Sequence, residues 1–249
     1  MKETIIYLHG IVGNQQAFKH QIEELGNEYN CIGYDYVGYS EGELGKNIPC
    51  TLDILVAQLH GIFQTQKIEK AHLCALSYGC LIATAYAYRY PDHVQSLTFV
   101  GGYCNQDSEY IDNLHQLLRE KSQYTHFEWL RRYAFATNPN HPEISENTEG
   151  IFCACAEPLH PTILENAVRL QTEFPSMEYL SAIKQPILWV MGDLDGIHLG
   201  TLYNLHEMVP QVQYHEIRGA GHVAHIHKRQ EFMDLFKPFL VTNQLKVGQ

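Results

Sequence analysis

Short apolar runs recur along the chain, each followed by a longer stretch with helical periodicity. No single motif narrows the fold as much as this alternation. The runs are TIIYL (4–8), NCIGYD (30–35), KAHLCAL (70–76), SLTFVGG (96–102), PILWVMG (186–192) and VQYHEI (212–217). Most are continuous rather than alternating, as strands covered on both faces by helices should be. Amphipathic patterns near 15–27, 51–66, 78–90, 198–208 and 226–240 fill the gaps. Repeated strand–helix–strand units predict an α/β protein, a doubly wound and mostly parallel sheet of about six strands with right-handed crossovers. A chain of 249 residues suits one such domain.

One segment breaks the rhythm. Between about 104 and 180 no run reads as a strand; EYIDNLHQLLREK, THFEWLRRYAFA and PTILENAVRLQTEF read as helices punctuated by prolines. The expected organisation is a core of 1–103 and 181–249 carrying a helical lid, 104–180. If the lid leaves the sheet at the carboxyl ends of the strands, it roofs the crevice where ligands bind.

Composition removes several classes. A formal net charge of −11, with no basic stripe, argues against nucleic acid. The seven cysteines form no even framework, and Cys153-Ala154-Cys155 lacks zinc-ligand spacing, so they read as reduced packing thiols with no metal site. The start MKETIIYLHG has no signal-peptide pattern, and no stretch approaches the ~20 apolar residues of a membrane span. The expectation is a soluble, cytoplasmic monomer or homodimer.

The chemistry concentrates where runs end. Ala75-Leu76-Ser77-Tyr78-Gly79 follows the third run and opens a helical pattern. That is the setting of a nucleophile elbow, G-x-S-x-G, whose outer positions must be small because strand and helix backbones approach there. Ala75 exceeds glycine by one methyl group. The plainer reading is a serine at a strand–helix junction acting as an N-cap. His9-Gly10 ends the first run, so the amides of Ile11 and Tyr78 are the candidate pair for an oxyanion hole. In MGDLDGIH (191–198), Asp195 projects further past the strand end and is favoured as the acid, with Asp193 its rival. His222 follows Gly219-Ala220-Gly221 and is the candidate base; His225 and His227 are neighbours on the helix that follows. Asp35-x-x-Gly38-x-Ser40 reads as a structural turn.

The order Ser, Asp, His, each at a strand end, resembles the α/β-hydrolase superfamily, in the branch with a helical lid between its sixth and seventh strands. The resemblance rests on His9-Gly10, Asp35-x-x-Gly38-x-Ser40, Ala75-x-Ser77-x-Gly79, Gly192-Asp193-x-Asp195 and Gly221-His222, and covers nearly the whole chain. Members normally carry one or two strands before the His-Gly strand, so it implies a reduced sheet here. It also implies a serine hydrolase of a carboxylic ester or thioester working through an acyl-enzyme without a cofactor. The alternatives are a C–C bond hydrolase or acyltransferase with the same triad, or a small-molecule-binding protein on this fold. Dehalogenase and epoxide hydrolase chemistry is disfavoured, because those relatives place an aspartate where Ser77 stands.

In such a family the lid selects the substrate. Phe127, Trp129, Leu130, Tyr133, Phe135, Phe152, Leu164 and Phe174 are candidates for an apolar acyl pocket, against the plainer reading that they pack the lid onto the body. The expected substrate contacts are His9, Trp129, Tyr133 and Phe152. A narrower resemblance, carried by Asp193-Leu194-Asp195-Gly196 and the chain length, is to pimeloyl-carrier-protein methyl ester esterases. It implies lid arginines, here Arg131, Arg132 and Arg169, facing an acidic carrier protein. The segment 104–180 holds 12 acidic against 5 basic side chains, a balance that repels such a partner.

Overall fold

The apolar runs form one sheet. The computed structural model describes residues 2–39, 50–104 and 108–244. The strands are β1 Thr4–Leu8, β2 Asn30–Gly33, β3 Ala71–Leu76, β4 Val94–Val100, β5 Ile187–Gly192 and β6 Val212–Ile217. Their order is β2-β1-β3-β4-β5-β6, and every pairing is parallel.

Because side chains alternate across a strand, each run feeds two cores. Ile6 and Leu8 of β1, Leu73 and Ala75 of β3, and Trp189 and Met191 of β5 belong to one. Ile5, Tyr7, Cys74, Leu76, Leu188 and Val190 belong to the other. Helices α2 (Leu52–Thr65) and α3 (Tyr78–Arg89) bury their apolar residues in the first core. Helices α1 (Lys19–Leu25), α11 (Ala224–His227) and α12 (Arg229–Thr242) close the second. This is the doubly wound arrangement that the continuous apolar runs imply.

Several expected boundaries differ, among them the second strand, which ends at Gly33 rather than 35, and the pattern at 226–240, which is split between α11 and α12. The fourth strand starts at Val94 and ends at Val100, because Gly101 turns out of the sheet with φ +57°. The pattern at 198–208 is not one helix but two short ones, α9 (Gly196–Leu199) and α10 (Leu205–Met208), joined by a 3₁₀ turn at Gly200–Leu202.

Between β4 and β5 the chain forms α4 (Glu109–Glu120), α5 (His126–Thr137), α6 (Thr148–Ala156), α7 (Pro161–Glu173) and α8 (Ser176–Ala182). Thr125 and Glu128 form a reciprocal capping box at the start of α5, and His160 caps α7 ahead of Pro161. Helix α8 packs along α3, with Tyr179 against Tyr88 at 4.4 Å between ring centroids. The last residues of the expected lid therefore belong to the layer flanking the sheet. Among the described residues no helix is long and apolar enough to cross a membrane.

Candidate active site

Ser77 occupies the tight turn between β3 and α3 with φ +51° and ψ −114°, a region that L-residues enter only under constraint. It stands at the N-cap position of α3, yet its side chain makes no capping hydrogen bond. The plain capping role is thus absent, and the hydroxyl is left to face a cavity. The close approach expected of an elbow is present at Gly79, where a Cβ would lie 2.6 Å from the Leu8 carbonyl oxygen. Ala75 faces the first core, fully buried, in register with Leu8 and Phe99.

The loop after β1 comes to the same place. A Cβ at Gly10 would lie 3.8 Å from Ser77 Cβ, and Ile11 lines the cavity beside Ser77. Tyr78 is the first residue of α3, where backbone N–H groups lack a partner one turn earlier. His9 is buried and does not line the cavity, contrary to its expected substrate contact. Its Nδ1 meets the Gly10 carbonyl at 2.7 Å, its Nε2 accepts the Tyr36 N–H at 3.4 Å, and its ring lies 3.9 Å from that of Tyr36. These partners require a neutral imidazole protonated on Nδ1, and burial pushes its pKa down to about 4. His9 shapes the loop from behind. Asp35 Oδ1 accepts the Gln15 N–H, and its carbonyl accepts from Gln58 Nε2 at 2.9 Å, which pins the neighbouring turn. Ser40 of that motif lies outside the described residues.

At the end of β5 the two carboxylates part. Asp193 Oδ1 accepts the Gly219 N–H at 2.7 Å and ties β5 to the loop after β6. Asp195 Oδ2 lies 2.8 Å from His222 Nδ1. Its other oxygen, Oδ1, lies 2.7 Å from Nδ1 of His198, a residue the sequence did not single out. Burial opposes the charge on Asp195, but His198 and His222 outweigh it and hold the carboxyl below the usual range. Burial pushes the His198 pKa down despite Asp195 beside it, which favours the uncharged ring. One nitrogen of each ring and a carboxylate oxygen lie within 4.8 Å of one another, a set chemically able to hold a metal. Each Nδ1 already meets its own carboxylate oxygen at hydrogen-bond length, so hydrogen bonding accounts for the cluster.

The remaining histidines of that loop serve structure. His225 is fully buried, with Nε2 3.1 Å from the Ala17 carbonyl. His227 Nδ1 accepts the Gly221 N–H at 3.0 Å and braces the loop that carries His222.

Ser77, Asp195 and His222 all border one cavity of about 800 Å³. Its wall continues through Ile11 and Val12, then Asn138, Ile144, Ile151, Phe152 and Cys155 of the insertion, then Ile197, Val223 and Ile226. Phe152 is the expected contact that reaches it. Trp129 and Tyr133 do not. Trp129 is fully buried, donating Nε1–H to the Leu117 carbonyl at 2.8 Å, and Tyr133 is held by Gln171 Nε2 at 2.8 Å. Both face the inside of the helical insertion, where aromatic rings bury most area. Of the arginines expected to face a carrier protein, Arg169 pairs with Glu165 at 2.8 Å. Arg132 lies over the Tyr124 ring at 4.0 Å, in a groove that also carries Glu120, Glu128 and Glu149.

A doubly wound parallel sheet with its cavity at the carboxyl ends of β1, β3, β5 and β6, and a serine on the sharp turn after β3, defines a class of α/β enzyme folds. The chain belongs to the alpha/beta hydrolase fold family, whose model matches residues 3–149. It is 26% identical to a 2-hydroxy-6-oxononadienedioate/2-hydroxy-6-oxononatrienedioate hydrolase of Paraburkholderia phymatum, over 96% of this chain and 87% of that protein. Lipase 1 of Psychrobacter immobilis is 24% identical over 95% of this chain and 76% of its own. Among solved structures, a thermophilic esterase from Thermogutta terrifontis superposes with a TM-score of 0.78 at 23% identity, covering 98% of this chain and 92% of that one.

Proposed function

We propose that the protein is a serine hydrolase that cleaves a carboxylic ester or thioester of an apolar acyl group through an acyl-enzyme. The observation that carries this reading is the strained Ser77 facing a largely apolar cavity that the Asp195–His222 pair also borders. Ser77 Oγ attacks the carbonyl carbon while His222 Nε2 takes its proton. Asp195 Oδ2 accepts the His222 Nδ1–H and stabilises the imidazolium that forms. The amides of Ile11 and Tyr78 donate to the developing oxyanion. His222 then protonates the leaving alcohol or thiol, and water, activated by the same imidazole, releases the acid. The Ser77 side chain makes no capping hydrogen bond to α3; nucleophile–base contacts of this kind often tighten only when substrate binds.

Hydrolysis of a dienedioate by the same residues is the second reading. Lys19 on the cavity wall offers a cation for a carboxylate, and one relative bears such a name. A fluorophosphonate probe tests the mechanism and a substrate panel tests the class. The probe should label Ser77 in the wild type and nothing in Ser77→Ala. A series of p-nitrophenyl esters and acyl thioesters should be turned over, with chain length setting KM. A folded wild type that resists the probe and every substrate would falsify the hydrolase reading.

A further inference from the structure

Asp195 is bound from both sides. His222 takes one carboxylate oxygen at 2.8 Å and His198 the other at 2.7 Å. The two imidazoles lie face to face, with centroids 4.0 Å apart and planes 22° from parallel. His198 sits one helical turn after Asp195 on α9 and is 1% exposed. The Tyr110 and Tyr103 rings lie 4.8 and 5.7 Å away on its other sides. Both tyrosine hydroxyls donate to Gln171 Oε1, at 2.9 and 2.7 Å, so the insertion itself fixes the aromatic wall behind His198.

A carboxylate bound through one oxygen can still rotate about its Cβ–Cγ bond. A donor on the second oxygen fixes the plane and therefore the direction in which the first oxygen faces its partner. The chemistry of that donor matters. Lysine or arginine would fix the carboxylate but cancel its charge, and a carboxylate so neutralised stabilises an imidazolium less. A buried histidine supplies an N–H without a charge. Its face also supports the second ring, whose orientation decides whether Nε2 points at the serine.

We propose that His198 is a positioning residue of the hydrolytic centre, fixing Asp195 with an uncharged donor and holding the His222 ring in plane by stacking. The proposal rests on the serine-hydrolase reading. Charged and titratable groups facing this assembly are Tyr103 just after β4, Tyr110 of the insertion, Tyr214 of β6, and His225 and His227 of α11, with Glu146 beyond His227.

The test compares wild type, His198→Phe and His198→Asn by fluorophosphonate labelling rate across pH, with thermal melts to confirm folding. Phenylalanine keeps a ring against His222 and loses the donor; asparagine places an N–H near the former Nδ1. Expected is a loss of about tenfold or more in His198→Phe, of the size that misplaced catalytic groups cause. Its acid limb should move to higher pH, because the carboxylate loses a hydrogen bond that tempers its charge. His198→Asn restores the donor without the stacked ring, so it should regain the wild-type limb but only part of the rate. A folded His198→Phe with wild-type rate and limb overturns the proposal while leaving the hydrolase reading intact. A wild type that does not label, with Ser77→Ala as control, removes both. Should His198→Phe not fold, proton NMR decides: wild type should show two far-downfield imidazole N–H resonances and His198→Asn one. A single such resonance in wild type overturns the proposal.

Discussion

Gly101 and His222 touch so closely that no side chain fits between them. A Cβ on Gly101 would lie 2.5 Å from the His222 carbonyl oxygen and 2.8 Å from its Nδ1, and the residue has φ +57°. The end of β4 therefore forms the seat on which the imidazole rests. Gly101→Ala should push His222 off its line to Asp195. The expected loss in kcat is about a hundredfold, the scale of a misplacement near 1 Å. Forcing alanine into the left-handed region should cost a further ~1–2 kcal/mol of stability. Ester turnover and urea melts read the two effects separately; a fully active Gly101→Ala would show that the seat is slack.

The frame of this site is legible in sequence because it is local. Each catalytic candidate lies in the turn or loop that follows an apolar run, and Gly79, Gly10 and Gly221 mark where backbone must turn or approach. The supporting groups are not legible in that way. His198 is one of fifteen histidines, and only the stacking of two loops from different strands distinguishes it. Gly101 looked like the tail of a strand because its contact is with a loop 121 residues further on. Trp129 and Tyr133 sit on an amphipathic helix whose apolar face packs either on neighbouring helices or on a ligand, and periodicity gives the face without its partner.

The alanine in Ala75-x-Ser77-x-Gly79 is tolerated because the two outer positions are not equivalent. Gly79 meets the Leu8 and His9 carbonyl oxygens at 2.6 and 2.7 Å from its would-be Cβ, whereas Ala75 points its methyl into the core between β1 and β4. Ala75→Gly should leave ester turnover unchanged. It should lower stability by about 1 kcal/mol through lost burial and a freer unfolded chain. Gly79→Ala should abolish probe labelling. Equal activity in both variants would contradict this asymmetry.

The insertion separates packing from binding. Trp129 is fully buried and hydrogen-bonded to Leu117, while Phe152 is 7% exposed and borders the cavity. Trp129→Ala should cost about 3–5 kcal/mol, the range for a large buried aromatic, with little change in KM where the protein stays folded. Phe152→Ala should raise KM for longer acyl chains and alter chain-length preference more than stability. Melting curves and the p-nitrophenyl ester series distinguish the two. The reverse pattern would place Trp129 at the ligand.

Acid stability should be governed by three histidines buried away from Asp195. His9 and His72 are each pushed by burial to a pKa of about 4, and His225 to about 3. All three are at most 2% exposed. His72 Nδ1 bonds Ser96 Oγ at 2.7 Å and His225 Nε2 bonds the Ala17 carbonyl at 3.1 Å, but it is burial that disfavours the charged form of each ring. An unfolded histidine binds a proton near pH 6.5, so below that pH the unfolded chain takes up protons that the native state refuses. The stabilisation is therefore complete above about pH 6.5 and is lost as pH falls toward 4, at up to ~1.4 kcal/mol per pH unit for each histidine. Urea midpoints should hold level near neutrality and then fall steeply between about pH 6 and 4.5. His72→Asn keeps a donor for Ser96 but cannot titrate, and should flatten that fall by about one third. A midpoint that stays level to about pH 4.5 would mean that these histidines reach water or find acidic partners when protonated.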